Sequence, residues 1–476
     1  MRRLALTLLL ICLLLSACAP TVILLTREPE ASSTPLPTPE PSASPAPTEI
    51  PGARLGIGPD ALRDVSVTVW HGLDGASGAL FAQMAAEFSL TNTWGVKVQV
   101  ASQKNMQLLG ASIDSALRTP EYPDLVLALP EQALAWDAQG VVTDLAPYLS
   151  HTEFGFSTAE IDDFPAVFLK QDEVDGNTST SSVQRRLGVP AVRTARFLLY
   201  NVSFAKELGF TTAPQNADDF RKQACAANAS WKTDTDQTND GYGGWVLDNP
   251  TTDTDAPWTA YAWLRAFGGE VYAGGKYKFS TPENQFALDT LAELRSQGCA
   301  WLSTATSNAE ALARRKALFA AGSLDQLSEQ RAAFAGSPDE WTVIPFPGKD
   351  PTIIAYGPDY VILKSSEVRQ LAAWLFVRWM LSPENQARWT RETGLFPLRS
   401  SAIELLQNIR TANPQWVAAV DLLPKAKTYP QAATWRKARL VLGDGFFSLF
   451  QPLTPAADGA AVVLDEMDAT LQDLYK

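Results

Sequence analysis

From residue 65 onward the apolar positions follow two periods. Val65-Ser66-Val67-Thr68-Val69-Trp70 alternates as a half-buried strand does, and Val96-Lys97-Val98-Gln99-Val100 repeats the pattern. Between them Leu80 to Phe88 carries apolar residues at helical spacing, and Leu108 to Leu117 does the same three and four apart. Asp124-Leu125-Val126-Leu127-Ala128-Leu129 is continuously apolar after its first residue, as in a strand covered on both faces of a parallel sheet. Helices are predicted further on over Asn284–Arg295, Ala309–Ala320 and Glu367–Leu381. Strand and helix alternate, which predicts an α/β architecture with a parallel sheet. No internal repeat is visible.

The N-terminus follows another logic. Arg2 and Arg3 precede an apolar run from Leu4 to Leu15, too short for the roughly 20 residues a membrane-crossing helix needs. A basic head, an apolar centre and small residues at the exit make a signal peptide. The exit, Leu15-Ser16-Ala17-Cys18, resembles the lipobox of bacterial lipoproteins. That resemblance implies removal of residues 1–17 and acylation of Cys18, with several chains giving stable anchoring. Residues 18–60 then run rich in Pro, Ser and Thr, as in Thr34-Pro35-Leu36-Pro37-Thr38-Pro39. Such chain buries too little apolar surface to offset its entropy and is extended, so it reads as a stalk.

The chain is 46% hydrophobic and 19% charged, and the part beyond residue 60 exceeds the about 250–300 residues at which single cores stop growing. Two lobes are therefore expected. A net charge of −13 argues against nucleic acid as a partner. Beyond Cys12 in the leader and Cys18, only Cys225 and Cys299 remain, and in an exported protein the pair is expected to form a disulfide.

Catalytic patterns are weak. The two histidines, His71 and His151, lack metal-pair spacing, so no metal site is expected. There is no Gly-x-Ser-x-Gly elbow, and Gly274-Gly275-Lys276 is followed by Tyr277 where a phosphate loop needs Ser or Thr. Asp234 to Gly241 looks in part like a calcium loop, but Leu247 stands where the bidentate Glu belongs; a solvated turn is the expectation. No cofactor is expected.

The order of short motifs is more telling. Val69-Trp70-His71 and Glu87-Phe88 precede Trp94-Gly95-Val96-Lys97-Val98, Pro123-Asp124-Leu125-Val126 and Gly188-Val189-Pro190-Ala191. Ala205-Lys206-Glu207-Leu208-Gly209-Phe210 comes before Pro214 and Asp219-Phe220. Phe319-Ala320-Ala321-Gly322-Ser323, Ala372-Ala373-Trp374-Leu375-Phe376 and Gly394-Leu395-Phe396-Pro397 follow. This series resembles the family 1 extracellular solute-binding proteins, the group of maltose-binding and glycerol-3-phosphate-binding proteins, over about residues 60 to 450.

The resemblance implies a two-lobed periplasmic-binding-protein fold of type II, with a ligand cleft between lobes that close over it. One lobe would hold 61–192 and about 361–400, the other 193–360 and about 401–476, with crossings near Ala191–Leu198 and Tyr356–Ile362. It implies a monomeric receptor delivering a sugar, oligosaccharide or glycerol-phosphate derivative to an ABC permease. A surface-anchored carbohydrate hydrolase and a sensory or adhesion lipoprotein are the alternatives.

Sugar sites combine flat aromatics with fixed polar groups, and the chain has 14 Trp. Trp70 and His71 end the first strand, where α/β sheets present ligand loops. Glu131 follows the apolar strand ending at Leu129. Trp245, Trp258 and Tyr261 surround a helix start at Pro257. The resemblance adds Arg193 and Thr194 at the first crossing, Tyr356 and Gly357 at the second, and Ser323, Phe396 and Arg399. It also adds Asn105, which stands where glycerol-3-phosphate binders carry an aromatic. Trp374, Trp379, Trp416 and Trp435 are assigned to packing.

Overall fold

The structure, a computed structural model, describes residues 56–474 apart from 120, 175–183, 234, 252 and 452–458. The leader, Cys18 and nearly all of the expected stalk lie outside the described residues. No described helix is long and apolar enough to cross a membrane.

Two main sheets are built from β1 (Ser66–His71), β2 (Lys97–Ser102), β3 (Leu125–Ala128), β4 (Val189–Pro190), β5 (Thr194–Asn201), β6 (Trp245–Leu247), β7 (Ala300–Leu302), β8 (Phe319–Gly322), β9 (Trp341–Ile344), β10 (Ile353–Tyr356), β11 (Asp359–Ile362) and β12 (Ala426–Lys427). The helices that cover them include α1 (Gly75–Thr91), α2 (Met106–Ala116), α3 (Pro130–Asp137), α4 (Ala217–Trp231), α5 (Ala256–Ala266), α6 (Leu327–Ala333), α7 (Glu367–Met380), α8 (Pro383–Thr393), α9 (Pro414–Asp421) and α10 (Trp435–Ser448).

The first sheet has the order β2-β1-β3-β11-β4 and the second β7-β6-β8-β5-β10-β12, with β9 also paired to β5. The early strands β1, β2 and β3 are parallel, as their patterns predict. The strands that link the sheets are not: β11 runs antiparallel to β3 and β4, and β5 antiparallel to β8, β9 and β10. Both sheets are therefore mixed. Apolar content reports burial on two faces, not strand direction.

The predicted helix over Ala309–Ala320 is half a helix. It stops at Ala313, Arg315 takes a left-handed φ of 58°, and Phe319–Gly322 becomes β8 between β5 and β6. An alanine-rich run suits either state, and ladder pairing on two edges decides for strand.

Strand β5 is buried along its whole length, and its alternation sorts the second sheet's two faces. Ala195, Phe197 and Leu199 join the cluster holding Leu324, Leu327, Trp341 and Trp416; Leu198 and Tyr200 join that holding Trp245, Trp258, Trp263 and Trp435. A disulfide joins Cys225 on α4 to Cys299 beside β7.

The chain passes between sheets from β4 to β5 through residues 191–193, and from β10 to β11 through Gly357 and Pro358. The two crossings are bonded together: the N–H groups of Ala191 and Val192 both donate to Pro358 O, at 3.0 and 3.1 Å. Gly357 has φ 148°, and a Cβ there would lie 2.2 Å from Val192 O. Only glycine lets the strands approach this closely.

Candidate functional site

Arg193 sits at the first crossing with its side chain buried. Its guanidinium donates to the carbonyls of Val192, Gly357 and Pro358 at 2.9–3.1 Å, so one cation clasps both crossings. It also pairs with Asp359 at 2.5 Å and Asp172 at 3.5 Å. One arginine serves two buried carboxyls, and burial together with the Asp359 charge pushes Asp172 well above the ordinary carboxylate range.

Three residues on, Arg196 is fully buried on the other face of β5 from Ala195 and Phe197. It donates to Asp248 at 2.7 Å, Asp253 at 2.8 Å and the Thr259 hydroxyl at 2.9 Å. These acids follow β6, at its C-terminal end. Nearby, the Tyr356 hydroxyl donates to Asp255 at 2.8 Å, and burial pushes Asp255 up to about 6. The Thr194 hydroxyl donates to Asp325 at 3.3 Å and accepts from Leu324 N–H at 3.2 Å.

Above this polar layer lies an aromatic stack. Trp258 on α5 packs parallel to Tyr356, with centroids 4.5 Å apart and 16° between planes. The Arg439 guanidinium of α10 stands 4.0 Å from the Trp258 centroid. Both lie over faces of one ring, so they take opposite faces and Trp258 has none open. Tyr429 and Trp435 close its edges at 4.9 and 6.1 Å.

The other wall comes from the first sheet. Glu131, in the first turn of α3 beyond β3, is 3% exposed, and its Oε2 has no hydrogen-bond partner. Burial raises its pKa, while Arg439 and Arg436 pull it down. Arg439 Nε likewise lacks a partner. The two walls touch beside this pair: Tyr429 N–H donates to the Gln171 side chain at 3.1 Å, and the Gln431 amide donates to Gln171 O at 2.8 Å. The junction thus presents a buried acceptor on one side and a buried cationic donor on the other, with aromatics behind the donor. Hydroxyl groups satisfy both. Among the described residues no group of three or more metal-ligating side chains is placed to hold an ion, and Asp236 of the acidic turn instead accepts from Thr238.

The structure gathers Arg193, Thr194, Tyr356, Gly357, Trp258 and Glu131 around this junction. Tyr261 lies beneath, its ring 5.1 Å from Trp435 and its hydroxyl on Thr428 O. Trp70 is half-buried at the edge of the α2–α3 cluster. Other expected contacts have other work. His71 packs edge-on against Phe81, its Nδ1 accepts Leu73 N–H, and burial lowers its pKa. Asn105 caps α2. Trp245 is fully buried among Phe220, Trp263 and Phe450, and so is a core residue. The Ser323 side chain closes a capping box with Gln326. Phe396 packs on Phe168. Arg399 is spent on Asp163 and on the rings of Phe156 and Phe164. Sequence reasoning missed Asp172, Asp359, Tyr429, Arg436 and Arg439. The last two carry a readable signal: arginines three apart share a helix face.

Comparison with known proteins agrees with this fold. Residues 83–437 match the family model described as bacterial extracellular solute-binding protein. No curated sequence matches the chain. Among solved structures, the cyclic α-maltosyl-1,6-maltose binding protein of Arthrobacter globiformis is similar at 18% identity, with a TM-score of 0.69 over 86% of this chain and all of that one. The sugar-binding protein MalE of Xanthomonas citri gives 17% and 0.70, covering 86% and 99%. UgpB of Mycobacterium tuberculosis, solved with glycerophosphocholine, gives 20% and 0.67 over the same shares. The family match spans most of the chain and the structural likeness spans its two-sheet fold, so this chain belongs to the bacterial extracellular solute-binding proteins.

Proposed function

We propose that this protein is the receptor of an ABC importer and captures a carbohydrate or sugar derivative between its two lobes, without chemistry. The observation that carries the reading is the junction itself: Glu131 from the first sheet faces Arg439 and Arg436 from α10, each side holding a buried polar atom with no partner. An unpaired buried polar group costs about 1–3 kcal/mol, and a hydroxylated ligand bridging the two would relieve it. Similar structures of a cyclic α-maltosyl-1,6-maltose binding protein and of a sugar-binding protein, and one solved in complex with glycerophosphocholine, support this class.

In this reading Arg439 and Glu131 clamp hydroxyls, the half-buried Trp70 offers a ring face, and Trp258 orients Arg439 rather than stacking on sugar. The lobes divide near 192, 360 and 400, and Arg193 with Gly357 forms the hinge clasp. Cys18 carries the lipid that tethers a monomer near its permease. A thermal-shift screen over mono- and oligosaccharides and glycerophosphocholine, followed by calorimetry, tests the proposal. A stabilising ligand that is recovered unchanged supports it. Product formation, or no response across both classes, rejects it.

A further inference from the structure

Asp172 is buried where the two crossings meet, and its surroundings leave it short of partners. It follows the short helix Ala166–Lys170, which packs on β4 of the first sheet. Its side chain is 1% exposed, and neither carboxyl oxygen has a hydrogen-bond partner. The cation beside it, Arg193, is already committed. Nη1 of Arg193 donates to three carbonyls and Nη2 to Asp359 at 2.5 Å, which leaves Asp172 at 3.5 Å. One positive charge thus stands against two carboxyls in a dry site.

Full ionisation of both is costly there, because burial disfavours each charge and the like charges repel. Asp359 lies close enough to accept a hydrogen bond from an Asp172 hydroxyl. A proton on Asp172 therefore corrects both faults: it removes the excess charge and gives an unpaired oxygen a partner. The other groups that face the pair do not reverse this. Arg186 is spent on Glu173 and on Leu169 O, both at 2.7 Å. Tyr429 is neutral, its hydroxyl raised by burial, and Glu131 adds a further acid beside Asp359 and Tyr429. Burial, then the Asp359 charge, hold Asp172 well above the ordinary carboxylate range.

Part of what keeps the pair dry comes from the other sheet. Tyr429 follows β12 and belongs to the cluster of Trp258 and Trp435. The Gln171 amide is bonded to its backbone twice, accepting the Tyr429 N–H at 3.1 Å and donating to the Tyr429 carbonyl at 3.4 Å. The Gln431 amide donates to Gln171 O at 2.8 Å. Residues 429–431 thus cover the segment that carries Asp172. Parting the chain here breaks these bonds, admits water to Asp172 and returns it toward ordinary acidity.

We propose that Asp172 and Asp359 share one proton, and that this proton makes the contact between the lobes pH-sensitive, so that the lobes part more readily once it is lost. The proposal rests on the two-lobe capture described above. The covered arrangement holds the proton more tightly than the parted one, so protonation favours the covered form. Stability from Asp172 is full below the ordinary 3.8 and is lost as pH rises through the raised pKa. Opening follows the same sense. Between the two pKa values it should rise about tenfold per pH unit, and capture should weaken in the same window.

Hydrogen exchange of the Tyr429 amide, corrected for its intrinsic rate, tests this in the mature chain without ligand. Measurements run from mildly acid to mildly alkaline pH, with infrared spectra to follow protonated carboxyl. Protection in the wild type should fall tenfold or more as pH rises, and a protonated-carboxyl band should fade over the same range. Asp172→Asn keeps the shape and a donor toward Asp359 but cannot titrate, so its protection should stay flat and its spectrum should lack the band. Asp255→Asn should behave as the wild type does. If Asp172→Asn does not fold, Gln171→Ala replaces it: with the cover loosened, the band should fade at lower pH than in the wild type. Flat protection in the wild type, a pH response that Asp172→Asn retains, or a band that Gln171→Ala leaves in place overturns the proposal. No solute enters these measurements, so an empty ligand screen would reject the receptor reading alone.

Discussion

Trp245 and Trp258 stand 13 residues apart, flank the same helix start and are both buried, yet they belong to different kinds of region. Around Trp245 the ring partners are apolar: Phe220, Trp263 and Phe450 lie 5.1–5.9 Å away. Around Trp258 the ring partners are tyrosines and Trp435, and a guanidinium covers one face. Within reach of that guanidinium lies a buried carboxylate from the other sheet. Burial alone does not mark a core. What marks a junction is charge held out of water beside flat rings.

The contrast is sharpest under truncation. Trp245→Ala should cost about 3–5 kcal/mol of stability, as large-to-small changes in a packed core do. Chemical denaturation reads this, and the folded fraction should bind ligand with near-normal affinity. A normal melting point would move Trp245 out of the core.

Reduction of the Cys225–Cys299 bridge should cost about 2–4 kcal/mol, since it frees a loop spanning 74 residues. It tethers α4 to the sheet on the Trp245 side, so affinity per folded molecule should not change. Mass spectrometry before and after reduction, with paired melting curves, checks both statements.

Gly357→Ala acts on the other region. Its φ of 148° and the approach to Val192 O force the crossings apart. We expect a loss of about 1–3 kcal/mol from backbone strain, together with weaker ligand binding because the hinge is disturbed. Calorimetry alongside thermal melting separates the two, and unchanged affinity would detach the hinge from capture.

Much of this was readable before any coordinates. The alternating runs at Val65–Trp70 and Val96–Val100 and the apolar run after Asp124 became β1, β2 and β3, because period-two burial is written directly in side-chain polarity. Aromatic content near Pro257 pointed to α5, which carries Trp258 at the junction. Strand direction at the crossings and the strand character of Phe319–Gly322 were not legible, because both depend on partners far away in the chain. The charged half of the junction was hidden for the same reason. Asp172 and Asp359 meet at Arg193 across 187 residues of chain, Glu131 and Arg439 interact across 308, and nothing local distinguishes them from surface charges. Trp245 misled because a strand-end aromatic looks alike whether its ring faces ligand or core.

A smaller effect comes from Asp255. Its folded pKa of about 6 lies above the ordinary 3.8, so the folded state holds the proton more tightly than the unfolded chain. Stability from this group is present below about 3.8 and is lost as pH rises through about 6. Asp255→Asn should flatten that part of the stability–pH profile, while Asp236→Asn, on an exposed turn, should not. Equal profiles for the wild type and Asp255→Asn would remove the buried-carboxyl account.

The central claim is that a solute is held across the junction by Glu131 on one lobe and Arg439 on the other. Calorimetry combined with small-angle scattering, on wild type, Glu131→Gln and Arg439→Gln with the best ligand from the screen, tests it most directly. The account predicts that ligand compacts the wild type, and that each variant loses about tenfold or more in affinity, as expected for charged hydrogen bonds worth about 1.5–3 kcal/mol. Each should compact less at equal ligand concentration and keep its melting point. Full affinity and full compaction in both variants would contradict it.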